Sequence, residues 1–230
     1  MNATKAGSGL LLLDLDGVVV FESGPPLLEA LEILRLHDGL TTLLDGLDMP
    51  VVVLTHRSRR EAAQILQAAG VEVSRLGGIM AAEELLRAGL KHGGVAGVVR
   101  HGLRKSWILP LIEERFGISR KDIAFIDDRL ENLQDLLAHG LGLALHAPSD
   151  VVTARRALVS FDFAEALERI AEWREGRLGG GIVALPAREY SVLEWRRTGL
   201  HTRRQGRHVF NMARRVGRAM RETLRLKRAS

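Results

Sequence analysis

Cysteine is absent from the chain, which excludes disulfides and thiolate zinc sites and leads to the expectation of a cytoplasmic protein. No run of about 18 or more apolar residues occurs, so no transmembrane helix is expected. The opening MNATKAGSG is small and polar, and the four leucines after it are too few for a signal-peptide core, so no leader is expected either. Aromatic residues make up only 4%, with a single tyrosine. Acidic residues are scarce in one region only. Residues 188–230 hold 13 Lys and Arg against 3 Asp and Glu, whereas residues 1–187 hold 20 against 25. A basic tail on a mildly acidic body suggests an anionic partner for the tail, or a merely solvating segment.

What is present is organised around residues 10–20, LLLLDLDGVVV. An apolar run that ends at a turn residue reads as a strand buried inside a parallel sheet. Asp14 and Asp16 follow at its end, and alternation along an extended chain points both to one side. Carboxylates near a core persist when they are paired or bind a metal. Taken alone, DxDG also fits a plain turn after a solvated strand end, so the rest of the chain decides.

After the break at Gly24-Pro25-Pro26, residues 27–36 read as an amphipathic helix, and 40–44 as a short one. Residues 49–54 read as a second buried strand, ending at Thr55-His56-Arg57-Ser58. Ser58 is placed to cap a helix over 59–69 that Gly70 ends. A short strand is expected at 71–73, a helix over 81–88 closed by Gly89, and a strand at 95–99. Lys105-Ser106 opens a helix over 107–116. Residues 123–126 form a strand running into Asp127-Asp128, and a helix follows over 131–138. A strand at 141–145 and a helix over 163–175 complete the body. Gly77-Gly78 and Gly93-Gly94 lack the context of a dinucleotide site and read as turns.

Strands alternating with helices imply an α/β fold: a doubly wound, mostly parallel, Rossmann-like sheet with helices on both faces. Right-handed crossovers bring the strand carboxyl ends to one edge, where ligands bind. Asp14, Asp16, Thr55, Asp127 and Asp128 all sit at such ends, and Lys105 starts a helix there. The core is expected over 1–176. The glycine-rich 176–181 then acts as a hinge to a basic, partly helical extension over 177–230, with a short strand or docking segment at 182–185 and an amphipathic helix at 209–226.

Several carboxylates with one lysine and one hydroxyl suit a hard cation such as Mg²⁺, which prefers oxygen ligands. A carboxylate can also serve as a nucleophile, and a lysine and a threonine can stabilise charge during phosphoryl transfer. At this point the chain resembles the haloacid dehalogenase (HAD) superfamily, in its phosphatase branch, over about residues 9–175. DLDGVVV matches the first motif, VVVLT the second, Lys105 the third with Arg104 as its competitor, and IAFIDD the fourth.

The resemblance implies roles. Asp14 would be the nucleophile and a Mg²⁺ ligand. Asp16 would be general acid and then base, its backbone carbonyl also on the metal. Thr55 would hold a phosphate oxygen, and Lys105 would pair with Asp14 and the phosphate. Asp128 would be the direct metal ligand, with Asp127 behind it or a partial ligand. Dehalogenases lack an acid at position 16 and transport ATPases carry threonine there, so phosphomonoester hydrolysis is favoured over both. The alternative is a catalytically weak HAD-like binding or regulatory protein whose tail binds nucleic acid or a partner protein.

Only 38 residues separate Asp16 from Thr55 and 49 separate Thr55 from Lys105, too few for a full cap domain in either gap. An open site suits a bulky phosphorylated substrate, or is closed by oligomerisation. His56 and Arg57 are the residues best placed to touch substrate, and Arg129 is a further candidate. His101, His139, Trp107 and Trp173 read as surface or core residues. The tail helix could build a homo-oligomer. Nucleic acid could bind through arginines with Tyr190, Trp195 and Phe210 stacking on bases, although no nucleic-acid motif is present, and a membrane is disfavoured.

Overall fold

Leucine side chains on both sides of one strand dictate the architecture. In the computed structural model, which describes residues 9–22, 32–37, 39–152, 157–191 and 200–202, strand β1 (Leu10–Leu13) is buried along its whole length. Full burial of a leucine stabilises by about 1.5–3 kcal/mol, so this run is satisfied only with apolar layers above and below it.

The chain continues through β2 (Val20–Glu22), β3 (Glu32–Leu36), α1 (Leu40–Gly46), β4 (Val51–Leu54), α2 (Arg59–Ala68), β5 (Gly78–Met80) and α3 (Ala82–His101). Then come α4 (Leu109–Phe116), β6 (Ile123–Asp127), α5 (Leu130–Ala138), β7 (Leu143–His146), β8 (Asp150–Val152) and β9 (Ala157–Ser160). It finishes with α6 (Phe163–Arg174), β10 (Ile182–Ala184), β11 (Arg188–Ser191) and β12 (Leu200–Thr202).

Six strands form one sheet in the order β10-β7-β6-β1-β4-β5, every pairing parallel. Leu11 and Leu13 face a core shared with α1, α2 and α6, through Leu43, Leu66 and Phe163 among others. Leu10 and Leu12 face the opposite core, shared with α3, α4 and α5 through Leu85, Leu109 and Leu133. The sheet is therefore doubly wound, as the alternation of strands and helices predicts. From β1 the chain moves outward to β4 and β5. It then returns to β6 on the other side of β1 and moves outward to β7 and β10. The crevice between β1 and β6 is thus the switch point at which such sheets bind ligands.

Local chemistry explains the elements that frame this crevice. Ser58 caps α2 in a capping box: its hydroxyl accepts from the Glu61 N–H at 3.3 Å, and its own N–H donates to the Glu61 carboxylate at 3.2 Å. Ser58→Ala is expected to lower stability by about 1 kcal/mol, read as a lowered urea midpoint.

Four local expectations are overturned. Residues 32–36, expected in a helix over 27–36, form β3. They pair antiparallel with β2 on one side and β12 on the other, so distant partners choose the strand reading of a run that fits either periodicity. The short strand expected at 71–73 is replaced by a tight turn at Val73–Arg75 and the strand β5, whose residues pair with Val52–Leu54.

Gly89 does not end a helix. A Cβ there would come within 2.7 Å of the Trp107 ring, so the glycine is a packing site and α3 runs on to His101. The strand expected at 95–99 therefore lies in α3, past a break at Gly94 (φ 60°, ψ −167°). Of its valines only Val98 is buried.

Beyond the glycine-rich segment the chain returns to the body. β10 lies parallel to β7 as the outermost strand, β11 pairs with β9, and β12 pairs with β3. The helix expected at 209–226, with Trp195 and Phe210, lies outside the described residues. Among the described residues no helix is long and apolar enough to cross a membrane.

Candidate active site

Asp14 extends β1 by one residue, its N–H donating to the Ile126 carbonyl at 2.9 Å. That places its side chain at the crevice, buried to 7% exposure. Lys105 reaches the same point from the turn before α4. Its ammonium lies 2.9 Å from Asp14 Oδ1 and 2.6 Å from Asp127 Oδ2, and the side chain is fully buried. The Phe125 ring, 5.1 Å away at its centroid, adds a π face to the ammonium's surroundings. Arg104, the competing cation, instead pairs with Asp135.

Asp127, at the end of β6, accepts two further hydrogen bonds: from the Arg129 N–H to Oδ1 at 2.8 Å and from Asn132 Nδ2 to Oδ2 at 2.9 Å. Asp128 is half-buried beside it. Gly17, with φ 81°, packs so closely against the Asp128 carboxylate that a Cβ would collide with it. The loop after β1 therefore needs glycine twice over, for its left-handed backbone and for that contact.

Carboxylate oxygens of Asp14, Asp127 and Asp128 lie within 4.8 Å of one another. Three acids against one ammonium leave an excess of negative charge. Burial pushes the Asp14 carboxyl up to about 7; Lys105 opposes this and the charge of Asp127 adds to it. Burial, then Asp127, pushes Asp128 up to about 6. Burial alone would pull the Lys105 ammonium down, but Asp14 and Asp127 outweigh it and hold it above its ordinary value. A buried, oxygen-only, net-negative cluster fits a hard divalent cation such as Mg²⁺.

Thr55 follows β4 and is buried. Its N–H donates to the Met80 carbonyl at 2.9 Å, and its hydroxyl accepts from the Arg57 N–H at 3.2 Å. Asp16 is close enough to raise the proton affinity of Asp14, but its carboxylate meets Arg57, with Nε at 2.9 and 2.7 Å from the two oxygens. His56 Nε2 donates to the Leu103 carbonyl at 2.7 Å. Burial and the nearby Lys105 hold that imidazole below its usual range, hence neutral. Arg129 contributes its backbone N–H to the site, while its side chain lies near Glu131.

Two residues at the site escaped the sequence reading. Asn132 braces Asp127, and its spacing five residues after that acid, in the first turn of the next helix, is the signal that was there to find. His146, at the end of β7, places Nε2 3.1 Å from the Asp128 carbonyl.

No family model and no curated protein matches this chain. Solved structures do resemble it. A proposed β-phosphoglucomutase from Thermotoga maritima is 14% identical over 60% of this chain and 84% of that one, with TM-score 0.44. A haloacid dehalogenase-like family hydrolase from Streptococcus pneumoniae is 12% identical over 60% and 84%, TM-score 0.43. The 3-deoxy-D-manno-octulosonate 8-phosphate phosphatase of Moraxella catarrhalis, solved with magnesium, phosphate and the sugar acid, is 18% identical over 60% and 67%, TM-score 0.36. What this site can do follows from its own side chains rather than from those likenesses.

Proposed function

We propose that the chain is a phosphatase of the haloacid dehalogenase superfamily, a Mg²⁺-dependent phosphomonoester hydrolase that works through a phosphoryl group carried on Asp14. The observation that supports this best is the buried Asp14–Lys105–Asp127 triad beside Asp128 at the switch point of the sheet.

Asp14 Oδ1 is held by Lys105 and by the Leu15 N–H at 2.8 Å, which leaves Oδ2 for what enters the site. In the first step a carboxylate oxygen of Asp14 attacks phosphorus, and the bond to the leaving oxygen breaks. Asp16 gives that oxygen a proton. In the second step Asp16 takes a proton from water, whose oxygen attacks the same phosphorus, releasing phosphate and restoring Asp14. Thr55 and Lys105 hold the phosphoryl oxygens, and His56 and Arg57 line the approach for the substrate. Asp14, Asp128 and the Asp16 carbonyl would hold Mg²⁺, which when bound supplies positive charge to the phosphoryl oxygens. Asp127 already receives three donors, so it orients Lys105 and adds at most a partial ligand. The short gaps between motifs favour bulky phosphorylated substrates.

Phosphate release from p-nitrophenyl phosphate tests the reading. Activity should vanish with EDTA and return with added Mg²⁺; activity indifferent to chelation would overturn it.

A second expectation follows from the protonation states. Asp14 and Asp128 must lose protons to bind a cation, so apparent Mg²⁺ affinity should fall roughly 20-fold from pH 8 to pH 6. In the metal-free protein both carboxyls sit above their ordinary value, so they favour the folded state at low pH. That contribution is lost as pH rises from about 4 to about 7. Thermal protection by Mg²⁺ should therefore be largest above pH 7, as a calorimetric series would record.

A further inference from the structure

We propose that Arg57 is a positioning residue for Asp16, holding the carboxylate that passes the proton to the leaving oxygen. This rests on the reading of Asp16 as the general acid.

The Arg57 Nε stands 2.9 and 2.7 Å from the two Asp16 oxygens. The side chains are only 21% and 34% exposed, so solvent screens the pair less than it would a surface one. Both ends of the contact are anchored in the backbone. Arg57 lies on a loop held by backbone hydrogen bonds. Its carbonyl accepts from the Ala82 N–H at 2.9 Å, and its N–H holds the Thr55 hydroxyl at 3.2 Å. The preceding Thr55 is bonded to Met80, and the following Ser58 caps α2.

Asp16 sits in the turn before β2, where the Gly17 N–H reaches the Val20 carbonyl at 2.8 Å and the Val20 N–H reaches the Leu15 carbonyl at 2.9 Å. Through the Arg57 contact the Asp16 carboxylate is tied to the Thr55–Arg57 loop. That loop also carries the hydroxyl meant for the phosphate. Phosphate position and acid position are thereby tied to one piece of backbone, the condition for an acid to lie within hydrogen-bond reach of the leaving oxygen.

The experiment is a double-mutant cycle read on aryl and alkyl phosphates of graded leaving-group acidity, with kcat/KM reporting transfer to Asp14. The parent should show a shallow dependence, because the leaving oxygen is protonated as it departs. Asp16→Asn should make it steep. Arg57→Gln should also make it steep, losing about 100-fold on the poorest leaving group and less than about 10-fold on p-nitrophenyl phosphate. In the Asp16→Asn background Arg57→Gln should add almost nothing. Arg57→Lys, read beside it, should recover part of the loss on poor leaving groups.

Equal loss on every substrate, or full additivity with Asp16→Asn, would mean that Arg57 acts on the phosphate and would overturn the proposal. A shallow dependence in Asp16→Asn itself would instead overturn the role of Asp16, a distinguishable failure.

Discussion

Asp14→Asn should reduce phosphate release at least about 10³-fold in the presence of saturating Mg²⁺. The amide has nearly the same shape, so it fits the same buried space at the end of β1. It carries no negative charge, attacks phosphorus poorly and cannot form the acyl phosphate. Lys105 keeps its contact with Asp127 at 2.6 Å, so the fold should persist. The loss would then be chemical rather than structural. Steady-state phosphate release beside a urea unfolding curve separates the two. A variant as active as the parent would remove the covalent route and with it the assignment of Asp14.

Lys105→Met should be damaging in two ways at once. The ammonium is fully buried between Asp14 and Asp127. Removing one side of such a cluster leaves the other side charged in a poorly solvated place, which costs about 3–5 kcal/mol of stability. Turnover should also fall at least about 10²-fold, because a cation aimed at developing charge is lost. The stability deficit carries a sign with pH. Asp14 already holds its proton up to about pH 7 in the parent, and without the lysine it should hold it higher still. The deficit of the variant should therefore shrink when unfolding is measured at pH 5.5 rather than pH 8. Added Mg²⁺ should recover part of it at the higher pH. Equal urea midpoints for variant and parent at pH 8 would contradict the buried triad.

Much of the core was legible residue by residue, because the pattern and the physics were both local. The strands ending at Asp14, Thr55 and Asp127 are apolar runs followed by polar residues, and such runs have few ways to be satisfied other than deep in a sheet. Ser58 and Glu61 announce the start of α2 by their spacing alone. The segment from Gly89 to His101 was not legible, since glycines there serve packing against Trp107 and a break at Gly94 rather than ends of elements.

The strand β3 was missed for a different reason. Residues 32–36 become a strand through hydrogen bonds to Val20–Glu22 and to Leu200–Thr202, the latter more than a hundred and fifty residues away. The short strands β8, β9 and β11 are likewise made by mutual pairing, which no window of the sequence contains.

By itself the sequence determined which side chains are apolar, in what periods, and where acids interrupt them; this sets the layers and the edge at which the acids gather. Only the tertiary structure decided which group each acid meets. Asp14 and Asp127 share Lys105, Asp127 takes Asn132, and Asp16 goes to Arg57. The physical reason is range. Burial preference is a property of each residue and survives in one dimension, whereas an ion pair depends on distances of a few ångströms that exist only after the sheet has brought remote loops together.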